Sequence, residues 1–133
     1  MWLHLAVDIV PSNMAVRLHK RGFWYAQRLI VQGRIVQDGR DHWVEHQPSS
    51  DAKDQFIGRH GWHRYGNWHL GIDSNEPAER RTRYVFLYGD FERLHRCGVL
   101  RVAERAGQRG YTDIEVAAAH LRGLLEVVGK PKP

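Results

Sequence analysis

Leu3, Leu5, Val7 and Ile9 alternate with His4, Ala6 and Asp8, the two-residue period of a half-buried strand. Pro11-Ser12-Asn13 marks a turn, after which Met14 to Leu18 returns as a second strand. Lys20-Arg21-Gly22 is the next break. Phe23 to Val31 is rich in aromatic and β-branched residues and reads as a further strand, with a helix over Trp24–Ile30 as the competing assignment. Gln32-Gly33 and Asp38-Gly39 are tight-turn pairs, and Asp-Gly is a hairpin signal. The pattern predicts an antiparallel meander over residues 2–45.

From there the period lengthens. His46-Gln47-Pro48-Ser49-Ser50 is a linker leading to a helix start, where Ser49 or Ser50 caps the first amides and Asp51 meets the positive end of the helix dipole. That helix runs to about Arg59, with Gly61 as its stop, and Trp62–Leu70 forms a second short helix interrupted by Gly66. Asp73-Ser74-Asn75-Glu76-Pro77 is loop, and Arg83–Tyr88 is the clearest strand of the second half. Asp90 caps a helix beginning at Phe91, on which Phe91, Leu94, His95, Gly98, Val99, Val102 and Ala106 share one face. Gly98 in mid-helix costs about 1 kcal/mol against Ala, which points to close packing there. Gly107 and Gly110 end this helix. Thr112-Asp113-Ile114-Glu115 is a capping box. It opens a last helix with an apolar stripe of Ile114, Ala117, Ala118, Leu121, Leu124, Leu125 and Val128, stopped by Gly129 and Pro131. The predicted fold is a single α+β domain over residues 1–133. Strands dominate 1–45, short helices fill 49–70, a strand covers 83–88, and two helices over 90–128 pack as a hairpin on the sheet.

Composition narrows the function classes. At 133 residues, 42% hydrophobic and 26% charged, the chain has material for one core and none of the bias of a disordered one. The lone Cys97 cannot form an internal disulfide. With no apolar run long enough to span a bilayer and no signal-peptide pattern at Met1–Asp8, the expectation is a cytoplasmic protein without a membrane partner. The net charge of +5, carried mostly by Arg, raises the weight of anionic partners.

The candidate chemistry lies in two segments. Trp62-His63-Arg64-Tyr65-Gly66-Asn67-Trp68-His69 mixes aromatic faces, which stack on bases or fill protein interfaces, with Arg, which neutralises phosphate. The three-residue spacing of Trp62, Tyr65 and Trp68 equally fits a helix core. Tyr88-Gly89-Asp90-Phe91-Glu92-Arg93-Leu94-His95-Arg96-Cys97-Gly98 joins a strand to a helix start, where free amides, Arg93, Arg96 and His95 suit an anion. Asp90 as a cap opposes this, and His95 reads as a hydrogen-bonded core histidine. On one helix His95 would point about 200° away from Cys97, which leaves the thiol without a base, so no catalytic residue is assigned. His60, His63, His69 and Asp73 lack zinc-site spacing, and neither a metal nor another cofactor is expected. A helix-turn-helix over the last two helices is opposed by Asp113 and Glu115, whose charges would face phosphates.

Trp43-Val44-Glu45-His46-Gln47-Pro48-Ser49, Trp68-His69-Leu70-Gly71-Ile72-Asp73 and Tyr88-Gly89-Asp90-Phe91 with His95-Arg96-Cys97-Gly98 resemble a family of small bacterial proteins of uncharacterised activity. The similarity covers about residues 43–128. Where that family carries Tyr-Lys-Phe-Pro, this chain has Tyr84-Val85-Phe86-Leu87, without the Lys or the Pro. The resemblance implies a bacterial, cytoplasmic single domain and names no substrate.

The functional expectation is a small, non-enzymatic accessory protein that binds a macromolecule, nucleic acid ahead of protein, with Arg64, Trp68, Arg93 and Arg96 at the contact. One alternative is an enzyme or small-ligand binder whose pocket is lined by His69, Asp73, Asp90 and His95. Another is a structural subunit that assembles with copies of itself.

Overall fold

The computed structural model describes residues 15–129, so the strand expected at Leu3–Ile9 and the turn at Pro11-Ser12-Asn13 lie outside the described residues. In chain order the elements are β1 (Val16–Leu18), α1 (Lys20–Val31), β2 (Ile35–Val36), α2 (Trp43–His46), α3 (Ser50–Gly66), β3 (His69–Asp73), β4 (Tyr84–Leu87), β5 (Leu94–His95), α4 (Arg96–Arg109) and α5 (Thr112–Gly129). β3 is the centre of an antiparallel three-stranded sheet, with β1 on one side (Arg17 opposite Ile72) and β4 on the other (Gly71 opposite Val85). α4 and α5 pack on each other and on this sheet, which gives the α+β architecture that the sequence pattern predicts.

The N-terminal meander is corrected. Phe23 to Val31 is not a strand but the body of α1, whose buried residues Gly22, Ala26, Leu29 and Ile30 recur at helical spacing. That stripe outweighs the β propensity of the aromatic and branched residues, of which Trp24 and Val31 are left exposed while Phe23 and Tyr25 pack against the edge of the core. Gln32-Gly33 is accordingly a helix stop rather than a hairpin turn. Gly33 has φ 75°, its N–H donates to Ile30 O at 3.1 Å, and Arg34 N–H donates to Leu29 O at 2.9 Å.

Further along, Ser49 caps α3 as expected, its Oγ accepting from Ala52 N–H at 3.1 Å. Gly61, at φ 86° and ψ 170°, kinks α3. The second short helix ends at Gly66, earlier than predicted, because His69 and Leu70 already belong to the buried central strand. Asp90 does not cap a helix at Phe91. Its Oδ1 accepts from Glu92 N–H and Arg93 N–H at 2.9 and 2.7 Å, closing a tight turn, and α4 starts only at Arg96. The core between sheet and helices contains Leu29, Leu70, Tyr88, Leu94, Val102 and Leu121. Gly98 is a point of close approach, since a Cβ there would lie 2.7 Å from Tyr88 O. No helix among the described residues is long and apolar enough to cross a membrane.

Candidate metal centre

A short parallel pairing builds the site. β2 lies beside β5, with Ile35 opposite Leu94 and Val36 opposite His95, and Leu94 N–H donates to Arg34 O at 3.0 Å. Two residues beyond this register, Asp38 arrives beside Cys97 in the first turn of α4. The first amides of a helix have no partner within it. His95, at the N-cap position of α4, supplies no side-chain cap. Asp38 supplies one from 59 residues away, its Oδ1 accepting from Cys97 N–H at 2.8 Å. Arg96 donates to Asp38 O at 3.1 Å and ties the same backbone down.

The second carboxylate oxygen collects the chemistry. Asp38 Oδ2 is 2.6 Å from His95 Nδ1, 2.7 Å from His46 Nδ1 and 3.0 Å from Cys97 Sγ. Cys97 Sγ is itself 3.8 Å from His46 Nδ1. The 3₁₀ turn Arg40–His42 and α2 bring His46 into place, with its ring 5.3 Å from that of His95. Trp43, from the same helix, covers His95 at 6.0 Å between ring centres. On the far side of His95, Nε2 is 2.8 Å from Asp90 Oδ2. His95, Cys97 and the Asp38 carboxylate are buried, whereas His46 is partly open to solvent.

Burial alone raises the Asp38 carboxyl, but hydrogen bonds from Cys97 Sγ and N–H, His95 and His46 outweigh it and hold the group well below the usual carboxylate range. Asp90 is lowered in the same manner: burial acts upward, and the bonds from His95, Arg93 and Glu92 act more strongly downward. Burial, then the bond to Asp38 and that carboxylate's charge, push the Cys97 thiol up to about 12. A thiol held protonated in this way is not an activated nucleophile. The arrangement can instead offer one oxygen, two imidazole nitrogens and one sulfur to a cation. The ligand atoms of Asp38, His46, His95 and Cys97 lie within 4.8 Å of one another.

The sequence-predicted residues fare differently. Asp90 and His95 do meet. His69 does not join them: it is 2% exposed, its Nδ1 donates to Tyr65 O at 2.9 Å, and burial lowers it to about 3, so it stays neutral. Asp73 closes its own turn, with Oδ1 accepting from Asn75 N–H at 3.0 Å. The expected four-residue pocket therefore does not form. Trp68 is 2% exposed, edge-on to Tyr25 in the core, so its indole faces are closed to a base. Arg64 and Arg93 are exposed and Arg96 is half-buried. His63 bonds to Arg21 and His60 lies against Phe56.

Sequence reasoning missed Asp38 and His46 and misplaced Cys97. His95 ends a strand and Cys97 begins a helix, so the 200° separation expected on one helix does not apply, and both reach the same oxygen. No spacing rule links positions 38, 46, 95 and 97. The one usable signal was His-x-Cys at a strand-to-helix junction. Comparison with family models, with curated proteins and with solved structures finds no match.

Proposed function

We propose that this chain binds one zinc(II) ion through Asp38 Oδ2, His46 Nδ1, His95 Nδ1 and Cys97 Sγ, and that the ion fastens the segment around residues 38–46 to the start of α4. The observation that carries this reading is the convergence of four ligand atoms of three kinds from separate stretches of chain. Mixed nitrogen, sulfur and oxygen donors are the ligand set of zinc. Bonds of about 2.0–2.3 Å in a tetrahedron put ligand atoms about 3.3–3.8 Å apart. His46 Nδ1 and Cys97 Sγ are at 3.8 Å. The three contacts of Asp38 Oδ2, at 2.6, 2.7 and 3.0 Å, need to open by roughly 1 Å or less.

Hydrogen-bond accounting supports the same reading. A carboxylate only accepts, so each nitrogen of His95 that faces one must either carry a proton or hold a metal. With Nδ1 on an ion and Nε2–H donating to Asp90, the ring has the outer-shell carboxylate usual for a metal-bound histidine. Two anionic ligands, the Asp38 carboxylate and the Cys97 thiolate, balance a divalent charge. Four protein ligands fill a tetrahedral shell, so the centre is structural rather than catalytic.

The test is metal content after purification without chelator, followed by replacement with cobalt(II). The expected result is one ion per chain and a thiolate-to-cobalt absorption band that Cys97→Ser abolishes. Asp38→Ala should weaken binding by more than the 10–100-fold typical of an outer-shell loss. Wild-type protein that takes up no ion, or a cobalt spectrum without the thiolate band, would overturn the reading.

A second reading, contact with nucleic acid, has one observation in its favour at a place other than the one predicted. Trp24 is 58% exposed, and the Arg28 guanidinium lies 4.9 Å over its ring. Arg21 shares the same shallow surface. An open indole flanked by guanidinium groups suits a single-stranded base and its phosphate. Anisotropy of a labelled single-stranded oligonucleotide at two salt concentrations tests it. Binding that weakens with salt and with Trp24→Ala supports this contact, and binding unaffected by Trp24→Ala removes it.

A further inference from the structure

A cavity of about 560 Å³ is lined in part by Trp43, the residue that also covers His95 of the proposed zinc site. Its walls combine Trp43, Tyr65, Tyr84 and Phe86 with three cations, Lys53, Arg81 and Arg101. The volume lies in the range of small-molecule sites, and a few charged groups on an aromatic lining are their usual make-up.

The charge is not balanced from within. Arg81 is held by Asp54 Oδ1 at 3.2 Å and by Ser50 Oγ at 2.8 Å. Lys53 and Arg101, by contrast, have no acidic partner among the described residues. Both are only partly exposed. Lys53 is desolvated and stands near Arg81, and both effects lower it. A half-buried cation without a counter-charge, beside a second cation, costs free energy that a bound anion would offset. His69 lies in the same wall and is kept neutral by burial, so it adds a ring without adding charge.

We propose that this cavity binds a phosphate monoester that carries a planar ring, of the nucleoside monophosphate class, with the phosphate toward Lys53 and Arg101 and the ring against the half-buried Tyr84 and Phe86. Two unpaired cations match a dianionic phosphate better than a single carboxylate charge. The aromatic walls supply stacking surface that a free inorganic ion cannot use. The site is distinct from the metal centre and does not depend on it.

Isothermal titration of the full chain with adenosine monophosphate, adenosine and inorganic phosphate tests both halves of the site. The expected order is the monophosphate tightest, with the nucleoside and the free phosphate each at least tenfold weaker. Lys53→Gln and Arg101→Gln, both at partly exposed positions, should each weaken the monophosphate at least fivefold while leaving the far-ultraviolet circular dichroism unchanged. Adenosine binding as tightly as its phosphate would overturn the role of the cations. Inorganic phosphate binding as tightly as the monophosphate would overturn the role of the rings. Absence of monophosphate binding by the wild-type chain would overturn the site altogether.

Discussion

Two glycine-to-alanine changes within helices should move stability in opposite directions. In an exposed helix interior, Ala is favoured over Gly by about 0.8–1.0 kcal/mol. Gly123 in α5 is exposed, and a Cβ added there meets nothing within 4 Å, so Gly123→Ala should stabilise by roughly that amount. Gly22 in α1 has the same intrinsic gain available but faces β3. A Cβ there would lie 1.8 Å from His69 O and 3.0 Å from His19 Nδ1. The obstacle at 1.8 Å is backbone of the central strand, so α1 and β3 must separate by more than about 1 Å. Overpacking of this kind typically costs about 1–3 kcal/mol. Separation also stretches two bonds that hold α1 down, His19 N–H at its N-cap to Leu70 O of β3 at 2.8 Å and Tyr88 Oη–H, just past β4, to Gly22 O at 3.1 Å. Each of these contributes about 0.5–1.5 kcal/mol. After the helix gain is subtracted, Gly22→Ala should cost about 1–5 kcal/mol, a large part of a typical domain's stability. Urea unfolding followed by tryptophan fluorescence measures both variants, with the midpoint falling for Gly22→Ala, rising for Gly123→Ala, and the slope unchanged. A Gly22→Ala midpoint at or above wild type would refute the close approach of α1 to β3.

Acid should expose the burial of His69. Its folded value of about 3 lies below the ordinary 6.5 of a histidine, so the unfolded chain binds the extra proton between these limits. Its contribution is fully present above about pH 6.5 and is lost as pH falls toward 3, at most about 5 kcal/mol in all. His69→Gln should flatten the midpoint-against-pH curve in that window, and curves of equal steepness would contradict the assignment. At the proposed zinc site, Asp90→Asn should lower zinc affinity about 10–100-fold yet keep the cobalt–thiolate band, because it alters the partner of His95 and no ligand. An affinity equal to wild type would remove Asp90 from the outer shell. Along α5, Leu121→Ala should cost about 2–5 kcal/mol, whereas Val128→Ala, at a position 48% exposed, should stay within about 0.5 kcal/mol. Equal losses in thermal or urea unfolding would show that the end of α5 is buried as deeply as its middle.

Local signals along the chain determined much of the architecture. Ser49 announced α3 because its side-chain oxygen satisfies a helix amide from within the same turn. Gly110, at φ 76°, marked the end of α4 because only glycine adopts that backbone without penalty. The stripe from Ile114 to Leu125 identified α5 and its buried face, and the run Tyr84–Leu87 identified β4. Each of these is decided by neighbours in sequence.

The remainder needed partners far along the chain. Lys20–Val31 carries strand-prone residues, and only the fit of Gly22, Ala26, Leu29 and Ile30 into the core makes it a helix. Asp38-Gly39 reads locally as a turn, and nothing nearby shows that Asp38 caps a helix 59 residues later. The cluster of Asp38, His46, His95 and Cys97 forms because β2 pairs in parallel with β5, which carries Asp38 to the amide and sulfur of Cys97, while α2 delivers His46 to the same oxygen. Contacts of that range leave no period or spacing in the sequence, since the chain between them is free to vary while the register holds the ends together.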